Sequence, residues 1–211
     1  MESWRTVTAV KPQRRAVKVF LDGELSLTLS PKVAAEVGLS VGQTFSEEEL
    51  RELEFKEFSH RALEKALHLL SYRPRSEGEV RSRLRRQGFG EEVIAHVIER
   101  LRELGLLDDL AFALAFKESR EAFRPRSKRL LERELRRKGV APEVIAEAVA
   151  DVDDESEAYR AGLKKSRQLV GKDLSEFRRK LTTYLSRRGF DWEVIKAVTE
   201  RLWQEIGGES S

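Results

Sequence analysis

The sequence predicts a mainly α-helical protein. We expect three tandem three-helix repeats that form an elongated curved array, preceded by a small N-terminal extension that contains a β-hairpin. Two observations predict this class. A set of motifs recurs at intervals of about 50 residues from residue 73 onward, and a repeat of that length indicates stacked supersecondary units. Before the repeats, apolar and polar residues alternate on both sides of an Asp-Gly dipeptide, which indicates a hairpin.

The N-terminal extension carries the strand signals. Residues 16–21 and 24–29 alternate with a period of two and flank Asp22-Gly23. We therefore expect two antiparallel strands joined by a tight turn. Residues 5–10 are a candidate third strand. Strand signals do not return later in the chain, so the β-structure is predicted to be confined to this extension.

Helix signals follow the strands. Ser30-Pro31 is typical of an N-cap followed by the first helical residue, and Gly38 is typical of the residue after a helix. Ser46 and Glu49 form a capping-box sequence, in which each side chain satisfies a free backbone amide of the other residue. From this point helix is predicted to dominate.

Three motifs mark the repeat. Arg-Pro-Arg-Ser occurs twice; a leucine, two adjacent arginines and a glycine within five residues occur three times; Glu-Val-Ile also occurs three times. Their positions are 73–76 and 124–127 for the first motif, 84–88, 135–139 and 185–189 for the second, and 92–94, 143–145 and 193–195 for the third. Three copies in register indicate an internal triplication.

Each repeat is predicted to contain three helices. In the first repeat, residues 62–71 form helix one, and Ser76 caps helix two, which ends before Gly88. Helix three begins near Glu91 and ends at Gly105, with apolar residues spaced as one buried face. We therefore expect helix two to be short and framed by a capping serine and a stop glycine.

The other two repeats follow the same plan with differences. Asp108 or Asp109 is expected to cap the second repeat, and Pro142 lies at a helix start. The third repeat lacks Arg-Pro-Arg-Ser and is predicted to have a longer second helix that begins near Asp173 or Ser175.

These signals divide the chain into five segments. Trp192 and Trp203 are predicted to anchor the core of the last repeat rather than to stack on bases. The segments are residues 1–58, a β-rich extension with short helices; 59–107, 108–153 and 154–207, the three repeats; and 208–211, a disordered tail.

Charge is segregated by helix within each repeat, although 40 Lys and Arg against 37 Asp and Glu give a formal net charge of only +3. The second-helix regions are basic and the third-helix regions are acidic. Net charges are +4, +6 and +4 for residues 73–86, 124–138 and 172–188, and −2, −6 and −2 for residues 91–104, 141–155 and 190–206. If the repeats stack with similar orientations, the second helices form a basic ridge, which would attract a phosphate backbone or an acidic protein groove.

The predicted ridge supplies the candidate binding residues. For one helix alone, a solvated face with pairs of opposite charge is the simpler interpretation. The same bias in three equivalent helices favours a functional charge. The predicted partner- or DNA-binding residues are Arg73, Arg75, Arg81, Arg85, Arg86, Arg124, Arg126, Arg129, Arg133, Arg136, Arg137, Lys138, Arg187 and Arg188.

The sequence offers little for catalysis. It has no cysteine and three histidines, and it lacks a Walker-type phosphate loop and a Gly-x-Ser-x-Gly elbow. Asp108, Asp109, Asp151, Asp153 and Asp154 are predicted at helix junctions, where carboxylates cap free amides. We expect no catalytic residue, metal site or cofactor. The lack of cysteine fits a reducing cytoplasm, and no apolar run approaches the length of a membrane span. We therefore expect a cytoplasmic protein without a membrane contact, and separately we expect a monomer.

Several of these features together resemble the RecX family over about residues 60–206. The resemblance rests on residues 71–76, the glycine stop at 84–88, the apolar residues of 93–101, and Gly-Leu-Leu-Asp-Asp at 105–109. It implies a bacterial, non-enzymatic modulator of the RecA recombinase that functions in DNA repair, recombination and the SOS response. It implies binding in the groove of the RecA–DNA filament, contact with single- and double-stranded DNA, and inhibition of ATP hydrolysis and strand exchange.

Other functions remain open at this point. A DNA-binding helical repeat protein with no dependence on RecA is the main alternative, because paired short helices superficially resemble a helix-turn-helix. A protein–protein adaptor is the second alternative, and a metal-dependent nuclease is a more distant third.

Overall fold

The computed structural model of the protein describes residues 4–207, so the predicted tail at 208–211 lies outside the described residues. Four strands and ten α-helices lie in this range. They form two compact units. The first unit contains the described residues up to Pro74 together with Val80–Leu107, and the second contains Arg75–Glu79 together with the described residues from Asp108 onward.

The N-terminal sheet confirms the predicted hairpin. Its strands are β1 (Trp4–Gln13), β2 (Ala16–Leu21), β3 (Glu24–Leu29) and β4 (Thr44–Ser46), in the antiparallel order β3-β2-β1-β4. Asp22 and Gly23 join β2 to β3 with φ values of 53° and 92°, the positive angles that a two-residue turn of this twist requires. The sequence pattern missed β4, because three residues are too few to show alternation.

Two helices link the sheet to the repeats. The first, α1 (Pro31–Val37), has Ser30 as its N-cap and ends at Gly38 with φ of 63°, as predicted. The second, α2 (Glu47–Leu70), begins at the capping box of Ser46. The helix that we expected to begin at residue 62 therefore begins at Glu47, because no glycine or proline interrupts these 24 residues.

The repeats consist of three helices each, as predicted. The first contains α2, α3 (Glu77–Arg86) and α4 (Glu91–Glu103). The second contains α5 (Asp109–Phe123), α6 (Lys128–Arg137) and α7 (Pro142–Ala148). The third contains α8 (Asp154–Ser166), a 3₁₀ turn (Arg167–Leu169), α9 (Leu174–Ser186) and α10 (Trp192–Gly207). The second helix is longer in the third repeat, 13 residues against 10 and 10, and is capped by Asp173.

Apolar residues at helical spacing form a separate core in each repeat. In the third repeat, Phe177, Leu181 and Leu202 are fully buried, and the ring of Trp203 packs edge-on against Phe177 at a centroid distance of 5.1 Å. The prediction for Trp192 was wrong, because this side chain is 65% exposed. Trp192 is the first residue of α10, and side chains point toward the N-terminus of their helix, so its ring projects beyond the buried face.

Candidate functional site

Helices α6 and α9 meet end to end in the second unit. The backbone amide of Ser127, at the start of α6, donates to the carbonyl of Arg188, just after α9, at 3.1 Å. The Arg188 guanidinium donates to the carbonyl of Pro125 at 2.9 Å. A Cβ atom added to Gly189 would lie 2.6 Å from the Ser127 hydroxyl oxygen. The Arg-Pro-Arg-Ser turn of one repeat therefore packs against the glycine turn that ends the second helix of the next repeat.

The first turn of α3 repeats this contact with the end of α6, also within the second unit. The Ser76 hydroxyl accepts from the amide of Glu79 at 3.2 Å and donates to the carbonyl of Lys138. A Cβ atom added to Gly139 would lie 2.7 Å from the Cα of Gly78. Arg-Pro-Arg-Ser thus occurs in the two repeats whose second helix is contacted by the second helix of a following repeat.

The paired aspartates between repeats strengthen both junctions. Asp108 and Asp153 cap their own helices, α5 and α8. Their neighbours reach the preceding repeat: Asp109 accepts from the amide of Glu77 at 2.8 Å, and Asp154 accepts from that of Lys128 at 2.7 Å. In α3 and α6, one free N-terminal amide is therefore bound by an aspartate of the following repeat.

A basic groove lies between the Arg-Pro-Arg turn of the second repeat and helices α8 and α9 of the third. Its volume is about 700 Å³. Leu169, Thr183 and Tyr184 line its floor together with Gln168, and no carboxylate is among its lining residues. Seven cationic side chains line it, and we call this site the basic groove: Arg124, Arg126, Lys165, Arg179, Lys180, Arg187 and Arg188.

Three cations of the basic groove are available to a ligand. Within residues 4–207, Arg124, Arg179 and Arg187 are exposed and have no side-chain hydrogen bond or ion pair. A guanidinium without a protein partner presents its donors to phosphate or carboxylate oxygens in a forked geometry. These three arginines therefore give the basic groove its uncompensated positive charge.

The other four cations are partly held by the protein. Arg126 lies 3.3 Å from Glu134, and Lys165 donates to Gln168 at 2.9 Å. The remaining two have contacts on α9: the ammonium of Lys180 pairs with Glu176 at 2.7 Å and lowers the pKa of that carboxyl through a hydrogen bond, while Arg188 stacks on the Tyr184 ring at 4.4 Å. These contacts hold the four charged groups in place around the groove and leave fewer of their hydrogen-bond donors free for a ligand.

The predicted residues of the first repeat occupy varied environments. Arg85 pairs with Glu91 at 2.6 Å, and this hydrogen bond lowers the pKa of the Glu91 carboxyl. Arg86 donates to the carbonyl of Ser82, Arg73 to that of Pro74, and the buried Nε of Arg75 has no partner within the described chain. Arg81, on α3, is half-buried.

The predicted residues of the second repeat separate into surface and junction positions. Arg133, Arg136 and Arg137 are exposed and, in the described part of the chain, unpaired. Arg129 is exposed and lies 3.9 Å from Asp191. Lys138, by contrast, is half-buried against Glu79 at 3.2 Å, so its side chain belongs to the junction.

The basic groove also contains cations that the sequence-based prediction missed, namely Lys165, Arg179 and Lys180. Arg179 and Lys180 belong to the basic run 178–180, which would have identified them. Lys165 lies on α8, a first helix, and a prediction limited to second helices could not include it.

Residues 4–207 offer neither a metal site nor a membrane span. No three His, Cys, Asp or Glu side chains come together there as metal ligands. No helix in that range combines the length and the apolar character that a membrane span needs.

Family comparisons agree with the triplication. Three models match in chain order: the first, second and third three-helix domains of RecX, at residues 62–101, 108–149 and 153–199. The regulatory protein RecX of Chlorobium limicola is 43% identical over 140 residues, which cover 66% of this chain and 87% of the relative. The regulatory protein RecX of Lactobacillus gasseri is 31% identical over 202 residues, which cover 93% and 74%.

Solved structures share the fold. A crystal structure of regulatory protein RecX superposes with a TM-score of 0.67 at 20% identity and covers 93% of this chain and 99% of its own. The crystal structure of RecX from Lactobacillus salivarius superposes with a TM-score of 0.60 at 20% identity and covers 70% and 97%.

Proposed function

This chain belongs to the RecX family of regulatory proteins, and from that premise we propose that it is a non-enzymatic regulator of the RecA recombinase in DNA repair and recombination. It binds in the groove of the RecA–DNA filament as a cytoplasmic monomer and contacts both protein and DNA. Bound there, it inhibits ATP hydrolysis by RecA and blocks strand exchange.

The basic groove is the observation that supports DNA contact most strongly. Seven cations line it without a carboxylate, and three of them lack a protein partner within the described residues. Bringing like charges together costs free energy, and an anionic ligand would repay that cost. A phosphate backbone fits better than a single small anion, because the cations line an open groove of about 700 Å³ rather than converge on one point.

The exposed cations of α6 extend this surface in the proposal. Arg133, Arg136 and Arg137 lie on the helix whose first turn adjoins the basic groove. Arg129 lies on the same helix. Several weak contacts on one chain lower the dissociation rate more than any one of them alone, which suits a protein that must compete with partner DNA for a filament.

An ATPase assay on RecA-coated single-stranded DNA tests the proposal. Added at amounts below that of RecA, the protein is expected to reduce the steady-state rate of ATP hydrolysis and to slow strand exchange. Full ATPase and strand-exchange rates at saturating protein would contradict it. Bovine serum albumin at the same concentration is the control for non-specific protein effects.

The same preparation distinguishes the proposal from the first two alternatives, a RecA-independent DNA-binding protein and a protein–protein adaptor. A DNA-binding protein with no dependence on RecA would bind bare DNA with a steep salt dependence and leave the recombinase active at concentrations that saturate this binding. An adaptor would bind RecA equally well with and without DNA. Our proposal requires tighter binding to the RecA–DNA filament than to either component alone.

A further inference from the structure

A second basic cleft lies in the first unit, outside the three repeat cores. It is bounded by the turn between β1 and β2, the start of α1 and one face of α2, and its volume is about 850 Å³. We call it the N-terminal cleft and define it by its five cations: Arg14, Arg15, Lys32, Arg61 and Lys65.

The cations of the N-terminal cleft are not part of an ion-pair network. All five are exposed, and none of their side chains has a hydrogen bond or ion pair with another described residue. Two carboxylates also line the cleft: Glu57 is 6% exposed and accepts from the amide of Ser30 at 2.7 Å, and Glu64 is largely exposed and lies 3.7 Å from His60. Five cations against two carboxylates leave the cleft with an excess of positive charge.

Helix α2 provides an internal comparison. Its two basic residues outside the cleft are paired, Arg51 with Glu47 at 3.7 Å and Lys56 with Glu36 at 3.3 Å. Its two basic residues at the cleft, Arg61 and Lys65, have no such partner in the described chain. An ordinary solvated helix face explains the paired residues but does not explain why pairing is missing at the cleft.

The turn between β1 and β2 contributes two of the five cations of the cleft. Gln13 pairs with Ala16, so Arg14 and Arg15 form a two-residue turn. Neither arginine has a positive φ, whereas Asp22 and Gly23 in the other turn have φ values of 53° and 92°. A turn without positive φ accepts most residue types. The turn therefore accepts arginine at both positions without requiring it, and both arginines line the cleft.

We propose that the N-terminal cleft binds the phosphate backbone of a nucleic acid. Three of its five cations are arginines, whose forked donors match phosphate oxygens, and the charges come from three separate elements along an open cleft. This site is distinct from the basic groove and goes beyond the proposed function, because it gives the N-terminal extension a nucleic-acid contact that needs no RecA.

The test uses three full-length double variants that each remove two positive charges. Arg14→Gln with Arg15→Gln removes the turn charges and introduces no preference for a positive φ, which neither residue has. Arg61→Gln with Lys65→Gln removes the helix charges and keeps helix propensity. Arg51→Gln with Lys56→Gln is the matched control, on the same helix but outside the cleft. Circular dichroism checks that each variant is folded.

Binding to a fluorescently labelled oligonucleotide, single-stranded or duplex, is measured without RecA at low salt. Each cleft variant is expected to lose affinity about fivefold to tenfold, and the control to stay within about twofold. Cleft variants that bind like the control would overturn the proposal. Binding to poly-glutamate is measured in the same way. Cleft variants that lose affinity for poly-glutamate but not for the oligonucleotide would also overturn the proposal, because the cleft would then be a site for acidic peptide. Inhibition of the RecA ATPase is measured in a separate assay. The proposed function and the proposed N-terminal site can therefore be contradicted independently of each other.

Discussion

The backbone amide of Ser127 donates a hydrogen bond to the carbonyl of Arg188 at 3.1 Å, which joins the start of α6 to the end of α9. This bond connects the two motifs that define the repeat, Arg-Pro-Arg-Ser and the glycine turn. It also brings Arg124 and Arg126 of one repeat to the same groove as Arg187 and Arg188 of the next. The junction that stabilises the repeats therefore assembles the candidate binding site.

Close packing at the junctions predicts unequal effects of glycine substitutions. Gly88 and Gly139 both have positive φ, 85° and 78°, so alanine at either position costs about 1–2 kcal/mol in backbone strain. At Gly139 the added Cβ also meets the backbone of Gly78, whereas at Gly88 nothing lies within 4 Å. Overpacking of this kind costs about 1–3 kcal/mol more.

Chemical denaturation of Gly139→Ala and Gly88→Ala measures this difference. The Gly139 variant is expected to lose clearly more free energy of unfolding than the Gly88 variant. Equal losses would mean that the first turn of α3 does not pack on the end of α6.

The ion pair between Lys117 and Asp151 predicts a pH-dependent stability. The Lys117 side chain is only 9% exposed and its ammonium lies 2.7 Å from Asp151. Hydrogen bonding from Lys117 lowers the pKa of the Asp151 carboxyl. A lowered folded-state pKa stabilises the protein above the ordinary Asp value of about 3.9, and that contribution is lost as the pH falls through the folded-state pKa.

Asp151→Asn should therefore lower the free energy of unfolding at neutral pH, with a difference from the parent protein that shrinks in acid. Denaturation at a series of pH values measures both. Asp191→Asn is the control, because that exposed carboxylate lies 3.9 Å from its nearest cation. A difference between Asp151→Asn and the parent that does not change with pH would contradict this account of the pair.

Reversal of charge on α6 predicts a loss of filament inhibition without a loss of structure. Arg136 and Arg137 are exposed and have no partner in the range 4–207, so changing both to Glu removes no contact of the fold. In the proposed complex the new carboxylates would repel phosphate. Inhibition of the RecA ATPase should weaken at least about tenfold, while circular dichroism stays unchanged. Unaltered inhibition would exclude these residues from the proposed contact surface.

Local signals in the sequence predicted most of the fold. Asp22-Gly23, Ser46-Glu49 and the capping serines act through bonds within a few residues, so their motifs are readable without a structure. The length of α2 was underestimated because a repeat boundary was expected near residue 59, although no glycine or proline separates the capping box at Ser46 from Leu70. Trp192 was misplaced because its hydrophobicity gave no information on where the core ends.

The candidate site was less predictable than the fold. Basic second helices indicated the correct type of surface, but Lys138 and Arg188 are partly used at the junctions. Lys165 reaches the basic groove from a first helix. The junction roles of Lys138 and Arg188 and the position of Lys165 depend on contacts between residues far apart in sequence. Counting charges along single helices does not reveal such contacts.

The salt dependence of duplex DNA binding tests most directly whether the basic groove contacts phosphate. Arg124→Ser with Arg187→Ser removes two unpaired cations of the groove, and Lys164→Ser with Lys196→Ser removes two exposed cations outside it. The groove variant is expected to reduce the slope of log affinity against log salt concentration by about 1.8, the value for two lost phosphate contacts. The control should keep the parent slope. A groove variant with the parent slope and affinity would contradict the account.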